Sequence, residues 1–543
     1  MKTYLLILLA VCGMYISGCT PKIQNELEGA TSVSVSQKRV PLFLERENPE
    51  VFQLNLGIEQ GITYDLKNIS LVLTEGSNAE ILKSVNVEWI AALAEDTLAT
   101  NFSKNFLLAG NEIEIEGDAV LTSGNHTLAI QFQVKDDAVL TQHFSVEKAI
   151  LTLGDERLAI DVEQPFAYRP AKVVRAAEQD NCDTYRIPGL VTTDKGTLIA
   201  VYDNRYNNSK DLQEDIDIGM SRSTDGGQTW EPMKVIMDMG EWGGLPQELN
   251  GIGDPSVLYD PVNHTIWVAA VWMNGFDKSQ MGWWASKPGM SPEETGQFML
   301  IKSTDDGLTW SEPINITEQI KDPAWQYLLQ GPGKGITLAD GTLVFPAQFK
   351  ADLGEKAIDG GPYTPHSTLI YSKDGGETWT IGTGAKTNTT EAQVVELSDG
   401  SLMLNMRDDR NRKDKSETNG RAVAITKDLG KTWEIHPSSN SALQEPNCMA
   451  SLIATDLTFD GADKRVLFFS NPNNKNHRTN MTIKASMDEG MTWPEAAQVE
   501  LNEAGGFGYS CMTMVDENTV GILYEGVKEL YFQSIPVADI LQQ

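Results

Sequence analysis

One short pattern, S-x-D-x-G-x-T-W, recurs five times in the C-terminal part of the sequence and narrows the possible folds more than any other feature. The copies are Ser223-Thr-Asp225-Gly-Gly227-Gln-Thr229-Trp230, Ser303-Thr-Asp305-Asp-Gly307-Leu-Thr309-Trp310, Ser372-Lys-Asp374-Gly-Gly376-Glu-Thr378-Trp379, Thr426-Lys-Asp428-Leu-Gly430-Lys-Thr432-Trp433 and Ser486-Met-Asp488-Glu-Gly490-Met-Thr492-Trp493. Residue type dictates the local geometry: Asp caps a turn through its carboxylate, Gly supplies a positive φ, and Trp packs inward from the outgoing strand. Alternating segments such as Ser367-Thr-Leu-Ile-Tyr371 and Met481-Thr-Ile-Lys-Ala485 precede most copies, so each predicts a β-hairpin. Asp194-Lys-Gly196, Asp340-Gly341 and Asp399-Gly400, each leading into an apolar strand, form a second recurrent signal. One hairpin unit repeated with unequal loop insertions predicts β-blades arranged radially, which protects strand edges and leaves a polar mouth at the centre.

The region before the repeats has another character. Residues 30–168 contain short alternating segments such as Ile130-Gln-Phe-Gln-Val134 and Ala149-Ile-Leu-Thr-Leu153, whose period of two predicts an antiparallel β-sandwich. No aromatic platform is visible there, so a structural or spacing role is expected, with glycan binding as the alternative. At the N-terminus, Lys2, the apolar stretch 4–11 and small residues at Ser17 and Gly18 read as an export signal over residues 1–18. Ile16-Ser17-Gly18-Cys19 fits the lipobox of bacterial lipoproteins, so Cys19 is expected to carry lipid, with 19–29 as a linker. The expected location is therefore outside the cytoplasm, membrane-anchored through lipid, in the periplasm or on the cell surface. Cys182, Cys448 and Cys511 are too scattered for a disulfide framework or a zinc site and are expected to be buried thiols.

Charge excludes one class of partner. With 76 Asp and Glu against 43 Lys and Arg, the formal charge of −33 repels a polyanion, so nucleic acid is not an expected partner. A small anion is a different matter: converging arginines dominate the field locally when bulk charge is screened beyond about 8 Å.

Six ordered landmarks interleave with the hairpin boxes: Tyr185-Arg186-Ile187-Pro188, Gly331-Pro-Gly-Lys-Gly-Ile336, Asn405-Met-Arg407-Asp408, Ser470-Asn-Pro472 followed by Arg478, Gly508-Tyr509-Ser510, and Tyr524-Glu525-Gly526. On these residues, the region 169–543 resembles the bacterial exo-α-sialidase (neuraminidase) family with Asp-box (BNR) repeats. The resemblance implies an all-β chain in which a six-bladed β-propeller catalytic domain, 169–543, follows the β-sandwich domain, 30–168. It also implies removal of terminal α-linked sialic acids from glycoproteins, glycolipids and oligosaccharides. Met406 departs from the family pattern, which has a small residue before the arginine.

The substrate class explains the residues. A sialoside carries a carboxylate on its anomeric carbon, and guanidiniums give planar, bidentate bonds to it that lysine cannot reproduce. By resemblance, Arg186, Arg407 and Arg478 form this clamp, Glu525 braces the first arginine, and Arg205 contacts the sugar or supports the carboxylate pocket. Asp211, a few residues after Arg205, matches the family acid/base, with Asp215 and Asp217 as competitors more fitted to solvated or structural places. A carboxylate nucleophile would be repelled by the substrate carboxylate; sialidases use tyrosine instead. Tyr509 matches that nucleophile, and Glu391 the base that draws off its proton, ahead of its neighbour Glu396. Trp283-Trp284 is left open between sugar platform and packing. No metal or cofactor is expected, since the six histidines show no ligand spacing. Sialylated glycans and, through lipid, a membrane are the expected partners of a monomer. A trans-sialidase and a non-catalytic sialic-acid-binding propeller are the alternatives.

Overall fold

The structure is a computed structural model that describes residues 23–92, 97–275, 279–459 and 461–542. Cys19 and the expected export signal lie outside the described residues. The architecture is all-β, with helix confined to short turns such as Gly282–Ala285 and Val537–Leu541. No helix among the described residues is long and apolar enough to cross a membrane.

Two sheets occupy the N-terminal region. One has six strands built around Tyr64–Leu73, Glu112–Leu121 and Val146–Leu153; the other has five, built around Glu50–Ile58, Leu82–Ala92 and Gly124–Val134. Alternation puts Leu54, Leu56 and Phe132 of one sheet and Leu71, Ile113 and Leu151 of the other into one buried cluster. That cluster does not end at residue 168. It continues through Tyr185, Leu190, Cys511 and Phe532, so the N-terminal region shares a core with both ends of the repeat region.

Six further sheets follow. Sheet I comprises Thr184–Thr192, Leu198–Arg205, Ile216–Ser223 and Lys234–Met237. Sheet II is built on Ile252–Asp260, Thr265–Trp272 and Gln297–Ser303, and sheet III on Tyr327–Gln330, Leu343–Ala351 and Thr364–Ser372. Sheet IV starts with Thr389–Glu396 and Leu402–Asp408, and sheet V with Ser451–Phe459 and Ala462–Pro472. Sheet VI joins Ser510–Asp516, Thr519–Glu525 and Leu530–Pro536 to Pro170–Arg175 and to Leu42–Phe43 from the N-terminal region.

Each box forms the turn between the third and fourth strands of sheets I to V. In the first, Asp225 Oδ1 accepts the Ser223 hydroxyl at 2.8 Å and the Thr229 N–H at 2.9 Å, while Oδ2 accepts the Thr229 hydroxyl at 2.6 Å. Hydrogen bonds from Thr309 pull Asp305 of the second box down to about 2, as those from Thr378 do for Asp374 in the third. Gly227 is required twice over: its φ is 91°, and a Cβ there would lie 2.0 Å from the Phe532 ring. The Trp230 ring meets Phe532 of sheet VI edge-on at 5.3 Å, an aromatic contact of about 0.5–1.5 kcal/mol beyond area burial. The other four box tryptophans pack on four separate clusters, so the repeat glues neighbouring sheets together. Sheet VI carries no box because its outer strands come from the start of the region rather than from a following hairpin. Cys182, Cys448 and Cys511 are buried and free.

Candidate active site

Antiparallel alternation brings together the starts of first strands, the ends of second strands and the loops joining second to third strands, at the end of each sheet opposite the boxes. The candidate residues occupy these places: Arg186, Glu391 and Tyr509 at first strands, Arg205, Arg407 and Glu525 at the ends of second strands, Asp211 and Arg478 in the following loops. Three first strands also share an irregularity there. Their register shifts between Arg186 and Gly189, between Gly253 and Ser256, and between Thr389 and Ala392. A bulge re-aims a side chain, and each of these lies beside a charged residue of the cleft, Arg186, Asp254 or Glu391.

Glu525 is the hub. Its side chain is fully buried and accepts the Arg186 Nε–H at 3.0 Å, the Ile187 N–H at 2.9 Å and the Tyr509 N–H at 2.8 Å. Ile187 has φ 58°, a conformation costing a β-branched residue about 1–3 kcal/mol, and the carboxylate holds it there. The Arg186 guanidinium lies 4.7 Å from the Phe507 ring centroid and 5.0 Å from that of Tyr509.

Tyr509 sits among three guanidiniums. Its hydroxyl donates to Glu391 Oε1 and accepts from Arg407 Nη1 at 3.2 Å, while Arg407 Nη1 also donates to Glu391 Oε2 at 2.6 Å. Arg478 lies 5.7 Å from the Tyr509 ring centroid and donates to Phe507 O at 2.7 Å. Burial, reinforced by the Glu391 charge, pushes the phenol well above its ordinary value, so it is neutral. Burial alone would raise Glu391, but Arg407 and the Tyr509 hydroxyl outweigh it and hold the carboxyl below its ordinary range, ionised and ready to take a proton.

Asp211 projects from the loop after Leu198–Arg205 and is half exposed. Its Oδ1 is 2.7 Å from Arg205 Nη1 and 3.5 Å from Arg186 Nη1. Desolvation raises this carboxyl, but Arg205 and Arg186 together keep it below its ordinary value. Arg205 itself is only 1 % exposed, and its donors go to Asp203 at 2.8 Å, Ser209 O at 2.8 Å and Asp211. The structure thus gives it the supporting place, not an open one. Asp215 is partly buried, and Asp217 is buried and accepts the Tyr206 hydroxyl at 3.0 Å, which makes it structural rather than solvated. Glu396 faces away, accepting the Ala339 N–H at 3.0 Å. Met406 is buried in the core of sheet IV.

Asp211, Glu391, Arg407 and Tyr509 open onto a cleft of about 280 Å³, which Asp254, Trp284 and Gln348 line among others. Sequence reasoning missed Asp254. Burial and the charges of Asp203 and Asp211 raise it well above its ordinary value. The available signal was Asp254-Pro255 early in a strand, which echoes Ile187-Pro188; both Asp254 and Ile187 have φ 58°. Gln348 was missed too, and its Oε1 is buried without a protein partner. Trp283 and Trp284 both line the cleft, packed against Lys350, whose Nζ lies 4.2 and 4.6 Å from their ring centroids.

Known proteins are similar to this chain over much of its length. The BNR repeat-like domain matches residues 196–522. A sialidase of Bacteroides fragilis is 44% identical over 95% of this chain and 96% of its own length. A sialidase of Micromonospora viridifaciens is 32% identical, covering 63% of this chain and 50% of that protein. Among solved structures, the Hadza microbial sialidase Hz136 superposes with a TM-score of 0.79 at 39% identity, over 93% of this chain and 99% of that one. A repeat that builds the sheets, a cleft where acid, tyrosine and arginines converge, and near full-length similarity lead to one assignment: the chain belongs to the sialidase family of glycoside hydrolases.

Proposed function

We propose that the protein is an exo-α-sialidase acting with retention of anomeric configuration. The observation that carries this is the Tyr509 hydroxyl, held between the Glu391 carboxylate and the Arg407 guanidinium. Arg186, Arg407 and Arg478 take the substrate carboxylate. That carboxylate offsets the charge of Arg186 and adds a negative charge near Asp211, so binding raises the Asp211 pKa and lets it pick up a proton. Asp211 then delivers the proton to the glycosidic oxygen as the bond to the anomeric carbon breaks. The Tyr509 oxygen bonds to that carbon and its proton passes to Glu391; the phenol approaches an anion while neutral and gains phenolate character only as the bond forms. Water then attacks the same carbon, giving a proton to Asp211, while Tyr509 leaves and recovers its proton from Glu391. Trapping with a fluorinated sialic-acid analogue followed by peptide mass spectrometry tests this reading: label on Tyr509 is expected, and label elsewhere or initial release of the inverted anomer refutes it. Product analysis with added galactoside separates hydrolysis from transfer.

We also infer that sheets I to VI are the blades of a six-bladed propeller, 169–543, preceded by a β-sandwich, 30–168. Contacts between neighbouring sheets run from sheet I through II, III, IV and V to VI and back to I, and sheet VI takes strands from both ends of the region, both of which support ring closure. The lipobox supports an exported, membrane-anchored lipoprotein. Metabolic labelling with a fatty acid is expected to mark the wild type and not Cys19→Ala; labelling of neither refutes the anchor.

A further inference from the structure

The cleft is backed by a piece of the N-terminal region. Leu42–Phe43 adds in parallel to Pro170–Arg175 at the edge of sheet VI, the sheet that carries Tyr509 at its threshold and Glu525 within it. Asn48, 1 % exposed, stiffens this segment by accepting the Phe43 N–H at 2.7 Å and donating to Phe43 O at 3.1 Å. Two arginines reach from it to the chain around the site. Arg46 forms a two-pronged pair with Glu529, at 2.9 and 3.0 Å, and Glu529 also accepts the Tyr531 hydroxyl at 2.8 Å. Phe43 packs on the Tyr531 ring at 4.6 Å. Arg39 pairs with Glu500 at 2.9 Å and Glu503 at 3.1 Å, and its carbonyl accepts the Glu503 N–H at 2.7 Å.

The chain around the site is held from several sides, by the Lys528–Asp183 pair at 2.7 Å and the Tyr185 N–H to Lys528 O bond at 3.2 Å among others, and these contacts add the grip from the N-terminal region. The loop Gly505-Gly506-Phe507-Gly508 leads directly into Tyr509, and it borders a cavity of about 210 Å³ that Val40, Pro41 and Phe43 line from the opposite side. Packing is therefore weak on that side, and glycine adds none. The loop is tied by hydrogen bonds, Gly506 N–H to Arg478 O at 3.2 Å, Arg478 Nη1 to Phe507 O at 2.7 Å and Phe507 N–H to Gly526 O at 3.1 Å, so its place depends on its two flanks as well as on Arg478. One flank begins at Glu503, gripped by Arg39; the other is the 525–531 hairpin, gripped by Arg46. Half-exposed ion pairs contribute little to global stability. Their fixed geometry matters here because Glu525 orients Arg186, Ile187 and Tyr509 at once.

We propose that residues 39–48 belong to the catalytic apparatus, with Arg39 and Arg46 as positioning residues that set Tyr509 and Glu525 through Glu503 and Glu529. The inference rests on the reading of the cleft as a sialidase site. Its test is steady-state kinetics of the full chain on a fluorogenic sialoside, at a temperature where each variant is folded by circular dichroism. Arg46→Ala and Arg39→Ala are each expected to lower kcat about tenfold with a smaller change in KM, since a misplacement of about 1 Å from a distant change can cost on the order of 100-fold. Arg46→Lys keeps the charge without the fork and should recover part of the rate; the exchange Arg46→Glu with Glu529→Arg should recover more. Wild-type kcat and KM in both alanine variants, with or without a lower melting temperature, overturn the proposal. If Arg46→Ala does not fold, Arg46→Lys and Arg39→Ala decide in the same way. A wild type with no sialidase activity refutes the reading of the cleft, whereas an active wild type with unaffected variants refutes the positioning role alone.

Discussion

Two aspartates at opposite ends of sheet I show what distinguishes a structural carboxylate from a chemical one. Asp225 and Asp211 are both held below their ordinary pKa against a desolvation cost. At Asp225 the opposing force is a set of hydrogen bonds from Thr229 and Ser223, neutral donors within four residues that nothing displaces. At Asp211 it is the guanidiniums of Arg205 and Arg186, and in the proposed mechanism the substrate carboxylate competes for Arg186. The first carboxylate is locked as an anion. In the proposed mechanism the second is an anion only until ligand arrives, which is what an acid that must pick up and deliver a proton requires.

The comparison breaks most visibly at the cleft. Tyr509→Phe removes the attacking oxygen, and formation of the retained anomer is expected to fall by on the order of 10³-fold or more, read by NMR of early product. Asp211→Ala should slow cleavage of natural sialyl-galactosides by about 10²–10⁴-fold but affect an activated phenyl leaving group far less. Equal losses on both substrates would make Asp211 as structural as Asp225. Arg407→Lys keeps a charge and loses the fork, costing roughly 1.5–3 kcal/mol, about 10- to 100-fold, in kcat/KM. An unchanged preference for the free acid over the methyl ester of the substrate would remove Arg407 from the clamp.

The other end of the sheet should respond in stability and not in rate. Asp225→Ala loses three hydrogen bonds of a surface turn and is expected to cost about 1–2 kcal/mol in denaturant unfolding, with kcat and KM unaltered. The last effect is confined to high pH and concerns Asp217, where burial and the nearby Asp238 carboxylate push the pKa up to about 7. Between the unfolded value near 4 and about 7, the folded protein keeps a proton that the unfolded chain releases. The contribution of this group is thus fully present below about pH 4 and is lost as pH rises through 7. Asp217→Asn should raise the melting temperature at pH 8 relative to wild type and leave it nearly unchanged at pH 4. An identical difference at both values would assign the effect to packing.

The sequence by itself determined the five hairpin turns, because the Ser/Thr–Asp–Gly–Thr hydrogen bonds that shape each turn join residues two to four apart and covalent spacing alone brings them together. It also supplied the candidate residues of the cleft, since each stands in a short motif. Only the tertiary structure decided how they meet. Tyr509 and Glu391 are 118 residues apart, Arg186 and Glu525 339, and Arg46 and Glu529 483, so their contacts exist only after sheets from distant parts of the chain have packed. The same holds for the buried place of Arg205, whose exposure depends on Asp203 and the loop that covers it, and for Asp254, which a bulge sets beside the cleft and which only the dipeptide Asp254-Pro255 marks in the sequence. Local geometry is written in neighbouring side chains; burial, and with it the charge state of Asp211, Asp254 and Glu391, is a property of what the rest of the molecule places around them.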